Sequence, residues 1–168
     1  MHRPALALVL MASAANAQTP ELISADDPEG LVAYLEAEGY SAEILSGVDG
    51  NPRILTEARG LRFNIFLRLC VDHANCQAMQ FDTSFHLSAP LPLEQLNEWN
   101  GKQMMGLAAV TDDNWALLSH PLITTGGLPE PIFAATLGWW MYQMEEYGRY
   151  IGYITEDEAG QASSSASQ

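Results

Sequence analysis

Two stretches of alternating apolar and polar residues, joined by a short polar loop, constrain the fold of this chain most strongly. In 61–71 the apolar side chains occupy every odd position, and most residues between them are polar. The stretch 76–87 has the same period, and residues 71–75 link the two. A period of two is typical of a β-strand with one buried face. The sequence therefore predicts a long β-hairpin with one apolar face.

A pair of cysteines supports one register for this hairpin. If Cys70 faces Cys76, then Ile65 faces Phe81, which places apolar side chains opposite each other independently of the cysteines. Directly opposed residues of antiparallel strands lie within reach of a disulfide, so we predict a Cys70–Cys76 bridge. The alternative is a redox-active pair. Five residues separate the two cysteines, whereas a C-x-x-C redox motif has two.

The other elements follow from helix-start signals and from short apolar runs between turn residues. Asp27 and Pro28 suit the N-cap and first position of a helix. Three helices are predicted, at 28–38, 92–102 and about 130–152. Further strands are predicted at 40–46, 53–58, 106–110 and 115–122. The order α-β-β-β-β-α-β-β-α predicts an α+β fold with a largely antiparallel sheet.

The first 17 residues have the layout of a secretory signal peptide. Arg3 precedes an apolar run at 5–12, and small residues end in the A-x-A pattern of 15–17. The run is much shorter than the about 20 residues of a membrane-spanning helix, so we expect cleavage without membrane insertion. This predicts a periplasmic or secreted protein, in an oxidising compartment that favours the disulfide.

Beyond the signal peptide, the composition divides the chain into three parts. They are a leader at 18–26, a folded domain at 27–153, and an acidic, Ser-rich tail at 154–168 that has nothing to bury and is predicted to be disordered.

Charge and missing motifs exclude several functions. Asp and Glu number 21 against 7 Lys and Arg, a net charge of −14, which disfavours nucleic acid and anionic membrane surfaces as partners. No hydrolase, phosphate-binding or dinucleotide-binding motif is present. The sequence therefore predicts no catalytic residue, no metal site and no cofactor.

A cluster of arginines is the first candidate for a partner-binding surface. Four of the cations fall within 53–68, at positions 53, 59, 62 and 68. Strand alternation places Arg62 and Arg68 on the polar face of the hairpin together with Phe66. Arginine beside an aromatic ring is a composition favoured in protein interfaces. The alternative is an ordinary solvated face, on which Asp82 could pair with Arg62.

Aromatic residues of the last helix form the second candidate. Trp139, Tyr142, Tyr150 and Tyr153 lie away from the apolar stripe that is predicted to face the core. They could pack under loops, or Trp139 and Tyr142 could form a ligand surface or the interface of a homodimer.

The chain resembles the YbjN family over about 27–152. The resemblance rests on the run Leu-Asn-Glu-Trp-Asn at 96–100, the two strands that follow, the Gly-Gly-Leu at 126–128, and the long last helix with Trp140. The family comprises small bacterial proteins described as sensory transduction regulators. The resemblance implies a fold similar to that of type III secretion chaperones and a role in stress responses, motility or surface polysaccharide.

The resemblance also implies binding of a peptide or protein partner without catalysis or cofactor. Together with the signal peptide, it predicts an exported, non-enzymatic binding module with a regulatory or chaperone-like role. The alternative is a small periplasmic redox enzyme that uses Cys70 and Cys76.

Overall fold

The computed structural model describes residues 22–155 and confirms the α+β class. The helices are α1 (Pro28–Ala37), α2 (Leu93–Lys102) and α3 (Glu130–Tyr150). The strands are β1 (Leu22–Ile23), β2 (Ser41–Ser46), β3 (Pro52–Ala58), β4 (Leu61–Arg68), β5 (Ala78–His86), β6 (Leu107–Val110), β7 (Trp115–Ile123) and β8 (Leu128–Pro129). The predicted signal peptide, residues 18–21 of the leader, and the tail beyond residue 155 lie outside the described residues.

The predicted start of α1 is confirmed in detail. The carboxylate of Asp27 accepts a hydrogen bond of 2.9 Å from the amide of Gly30, and Pro28 occupies the first turn. Gly39 follows the helix with a φ of +85°, a left-handed conformation that glycine adopts without strain.

Two short strands were not predicted. β1 and β8 pair antiparallel, so the described part of the leader packs against the entry to α3. Ile23 and Ala25 are buried in the core. A two-residue strand has no periodicity to recognise, which is why the sequence did not reveal it.

The main sheet has the order β2-β3-β4-β5-β7-β6, and every neighbouring pair is antiparallel. The predicted hairpin register is confirmed, because Ile65 pairs with Phe81 and Leu67 pairs with Met79. The apolar side chains of β3, β4, β5 and β7 therefore share one face of the sheet.

That apolar face packs against the helices around an aromatic cluster. The ring of Phe81 lies 5.7 Å from Trp140, 6.1 Å from Phe133 and 6.2 Å from Phe63, between ring centroids. All four rings are fully buried. Among the described residues no helix lies on the other face of the sheet, which we call the open face.

The tip of the hairpin differs from the prediction. β4 ends at Arg68 rather than at residue 71, because Leu69 has a φ of +55° and leaves the strand. Leu69 and Val71 are consequently exposed instead of lying on the apolar face. Asp72 and His73 also have positive φ, as the two central residues of a type I′ turn do.

The Cys70–Cys76 disulfide is present and closes this loop, with the two Cα atoms 3.9 Å apart. Cys76 is buried and belongs to the core, and Cys70 packs against it. The bridge therefore joins the exposed loop to the end of the β4–β5 ladder.

We expect replacement of both cysteines by serine to lower the free energy of unfolding by about 2 kcal/mol, because the bridge closes only a short loop. The fold should survive, since the aromatic cluster lies elsewhere. Urea unfolding followed by tryptophan fluorescence measures the change. Complete unfolding of the double variant in buffer would contradict this account.

Burial of His120 predicts a dependence of stability on pH. His120 lies on β7 with its ring stacked 6.4 Å from that of Phe81, and its Nε2 atom is buried without a hydrogen-bond partner. Burial lowers the pKa of His120 below its ordinary value of 6.5. The unfolded chain then binds more protons than the folded one, so the free energy of unfolding falls as the pH drops below about 6.5.

The replacement His120→Phe keeps a ring against Phe81 and removes the titration. We expect the variant to lose less stability than the parent protein between pH 7.5 and pH 5.5, measured by urea unfolding at each pH. An equal loss in both proteins would show that other groups cause the dependence.

Candidate partner-binding surfaces

The open face of the sheet carries a continuous chain of polar contacts. Arg68 bonds to Asp49 at 3.2 Å and to the side chain of Gln80 at 3.2 Å. Gln80 donates to Asp82 at 3.1 Å, and Asp82 accepts from the hydroxyl of Ser119 at 2.6 Å. These contacts cross β4, β5 and β7, so most polar groups at the centre of this face already have partners within the protein.

Phe66 and Arg68, which the sequence placed together, are in contact. The guanidinium carbon of Arg68 lies 4.7 Å from the centre of the Phe66 ring, a cation–π arrangement. Phe66 also pairs with Arg53 on β3, and Arg53 donates to the side chain of Asn64. These four residues form a half-buried apolar and basic area on the open face.

Three of the four arginines have carboxylate partners. Arg62 pairs with Glu57 at 2.5 Å, Arg68 with Asp49 at 3.2 Å, and Arg59 with Glu145 of α3 at 3.4 Å. The carboxylate partner of Arg62 is not Asp82, which the alternative of a solvated face had offered, because Glu57 lies directly opposite Arg62 in the β3–β4 register. The positive charge of this cluster is therefore largely balanced inside the protein.

The hydrogen bonds of Asp49 keep it ionised as a partner for Arg68. The backbone amide of Asn51 contributes most to lowering the pKa of Asp49, the side chain of Asn51 adds to it, and Arg68 lowers it further. The turn between β2 and β3 thus holds Arg68 over Phe66.

The four aromatic residues predicted on the last helix differ in how far they are covered. Tyr150 donates to the backbone of Gln95 at 2.9 Å, and the ring of Tyr153 packs 4.8 Å from that of Phe85. Tyr150 is thereby held against α2, whereas Tyr153 lies beyond the end of α3 and stays 49% exposed. Trp139 and Tyr142 remain 40% and 50% exposed, and their rings contact each other at 5.2 Å.

Ile132 extends the exposed aromatic pair and was missed by the sequence analysis. It is about half exposed, seven residues before Trp139 on the same side of α3. We call Ile132, Trp139 and Tyr142 the α3 patch. The helical spacing could have revealed it. The patch faces away from the sheet, so the structure does not bring it together with Arg62, Phe66 and Arg68.

A shallow depression lies beside the disulfide, and its lining includes Asp26, Cys76 and residues 124–127. Between residues 22 and 155, no three side chains of His, Cys, Asp or Glu converge as metal ligands do. Among the residues that line the depression, Asp26 is the one with a titratable carboxylate.

The motif that carried the family resemblance has a structural role. Trp99 is buried with its ring centre 5.0 Å from Tyr147 of α3. The side chain of Asn100 accepts from the amide of Ala108 at 2.8 Å and donates to its carbonyl at 3.0 Å. Asn100 therefore connects α2 to the edge strand β6 through two hydrogen bonds to the backbone of Ala108.

Comparison with protein families agrees with this architecture. The YbjN family model, described as "putative bacterial sensory transduction regulator", matches residues 27–152. The chain therefore belongs to the YbjN family, which is described as regulatory rather than catalytic. A search of curated proteins found no match. No helix between residues 22 and 155 is long and apolar enough to cross a membrane.

We expect Asn100→Ala to lower the free energy of unfolding by about 1–3 kcal/mol, because two hydrogen bonds are lost at a partly buried site. Asn97→Ala is the matched control, since Asn97 lies on the same helix and is exposed. Urea unfolding of both variants measures the difference. Equal stabilities would contradict the fastening role of Asn100.

Proposed function

We propose that this protein is an exported, non-catalytic regulator of the YbjN family that acts by binding a polypeptide partner through the α3 patch. The observation that carries the proposal is the exposed contact between Trp139 and Tyr142. Tryptophan and tyrosine, together with arginine, are the residues enriched at the energetic centres of protein interfaces. Their fixed mutual packing means that little side-chain entropy is lost on binding.

The surroundings of the patch indicate the chemistry of the partner. Glu145 and Glu146 follow it on α3 and pair with Arg149, and Glu145 also pairs with Arg59, so the complementarity depends on the charge of the chain as a whole. The whole chain has a net charge of −14. A segment with an apolar side chain for the patch and basic residues beside it would therefore complement this surface.

The arginines of the open face support this choice of surface. Arg62 and Arg68 would have to exchange internal carboxylate partners for those of a ligand, at little net gain in an exposed setting. The α3 patch has no such competing contacts to lose.

Export rests on the A-x-A pattern at 15–17 and agrees with a disulfide in the folded domain. We expect mass spectrometry of the protein recovered from the producing bacterium to find Gln18 at the amino end. We also expect Ala17→Leu to block this processing, because the position before the cleaved bond requires a small residue. An unprocessed chain that accumulates in the cytosol would contradict export.

Partner binding is tested by affinity capture from the exported fraction with crosslinking. We expect the double change Trp139→Ala and Tyr142→Ala to abolish capture of the bound protein, with the fold intact because both side chains are exposed. The matched control is the double change Arg62→Ser and Arg68→Ser, which should leave capture unchanged. If capture is lost only with the arginine changes, the partner binds the open face and not the α3 patch. If both variants capture the partner as the parent protein does, neither surface binds it.

A further inference from the structure

The two edges of the main sheet differ in how their free backbone groups are treated. On β6, the outward amide and carbonyl of Ala108 both bond to the side chain of Asn100, which covers that edge at Ala108. On β2 no described side chain plays this part. An edge strand with free backbone groups is a template for another strand.

The hydrogen bonds between β2 and β3 determine which groups of β2 are free. The amide of Gly47 donates to the carbonyl of Asn51 at 2.8 Å. This bond determines which residues of β2 direct their backbone groups towards β3. Because the pairing alternates, residues 43 and 45 direct their amides and carbonyls towards β3. Ala42, Ile44 and Ser46 therefore direct theirs outward.

β2 also lacks the features by which proteins protect such an edge. Its sequence, Ser-Ala-Glu-Ile-Leu-Ser, contains no proline, lysine or arginine, and Glu43 is its only charged residue. The side chain of Ile44 is 40% exposed at this edge although it lies on the apolar face of the sheet. This inference goes beyond the proposed function, which uses α3.

We propose that a second copy of this chain pairs with β2, antiparallel, so that the two sheets join into one across a two-fold axis at Ile44. In this register Ile44 faces Ile44 of the second copy, and Ala42 faces Ser46. Every outward amide and carbonyl of β2 is then paired, in about six hydrogen bonds. The exposed Ile44 side chains cover each other.

Neighbouring registers fit less well. Shifting the two-fold axis to Glu43 brings two like charges directly opposite each other, which is destabilising. Shifting it to Leu45 leaves Ala42 without a partner residue in the strand. A shift that places the axis between residues would set the apolar face of one copy against the polar face of the other.

Charge complementarity also favours a second copy as the occupant. Glu43 forms no ion pair among the described residues, and Arg53 is the one arginine of 53–68 whose side-chain partner, Asn64, is uncharged. In the proposed register Glu43 faces Leu45 of the second copy, and Arg53 lies directly beyond Leu45 on β3. Glu43 of each copy therefore lies near Arg53 of the other copy, and the two-fold axis generates this pair twice.

Analytical ultracentrifugation of the protein as recovered from the bacterium, over a range of concentrations, tests for a dimer. Residue-resolved amide exchange tests its geometry. We expect the amides of Ala42, Ile44 and Ser46 to gain protection as the dimer forms, whereas those of Glu43 and Leu45 are protected at every concentration. A monomer at all concentrations, or a dimer in which the three amides stay unprotected, would overturn the proposal.

Two sets of variants complete the test. Ile44→Lys places two like charges at the axis, and we expect it to weaken dimerisation about tenfold or more. Arg53→Glu should weaken dimerisation, and Glu43→Arg combined with Arg53→Glu should restore it. The double change at Trp139 and Tyr142 is the control and should leave the dimer intact. A dimer lost only with that double change would place the interface on α3 and refute β2 pairing.

Discussion

The pairing of β4 with β5 is the constraint on which the rest of the structure depends. Side chains alternate across a sheet, so a slip of one residue would turn Ile65 and Phe81 to solvent and bring arginines into the core. The disulfide holds the loop end of this ladder. Once the register is set, Phe63 and Phe81 offer one continuous aromatic surface, and α3 packs Trp140 onto it.

Packing all three helices on one face leaves the protein with an open face and two sheet edges. On the open face the polar side chains form hydrogen bonds with one another, in a chain from Asp49 through Arg68 to Ser119. At the β6 edge, the side chain of Asn100 bonds to both outward backbone groups of Ala108. The α3 patch on one side and β2 on the other are the two surfaces that we propose for association. Because these surfaces lie on different elements, one copy could pair through β2 while α3 holds a partner.

The residues that identify the family mainly hold the fold together. Trp99 fills the space between α2 and α3, and Asn100 fastens α2 to β6. The described residues therefore give a scaffold whose shared motif carries no chemistry of its own. In the function that we propose, selectivity for a partner comes from exposed side chains such as Trp139, which lie outside that motif.

Local periodicity determined the helices, the long strands, the cap at Asp27 and the hairpin register of this protein, because each depends on residues close in sequence. It also placed Phe66 and Arg68 on one face, where they are in contact. It could not distinguish Trp139 and Tyr142 from Tyr150, since that depends on what α2 covers. Tertiary structure alone decided that Glu57 pairs with Arg62 and that Leu69 leaves the strand. It also decided that Asn100 bonds to the outward backbone groups of Ala108 on β6, whereas no described side chain does so on β2. Each of these depends on groups brought together by distant elements, whose distances no local pattern encodes.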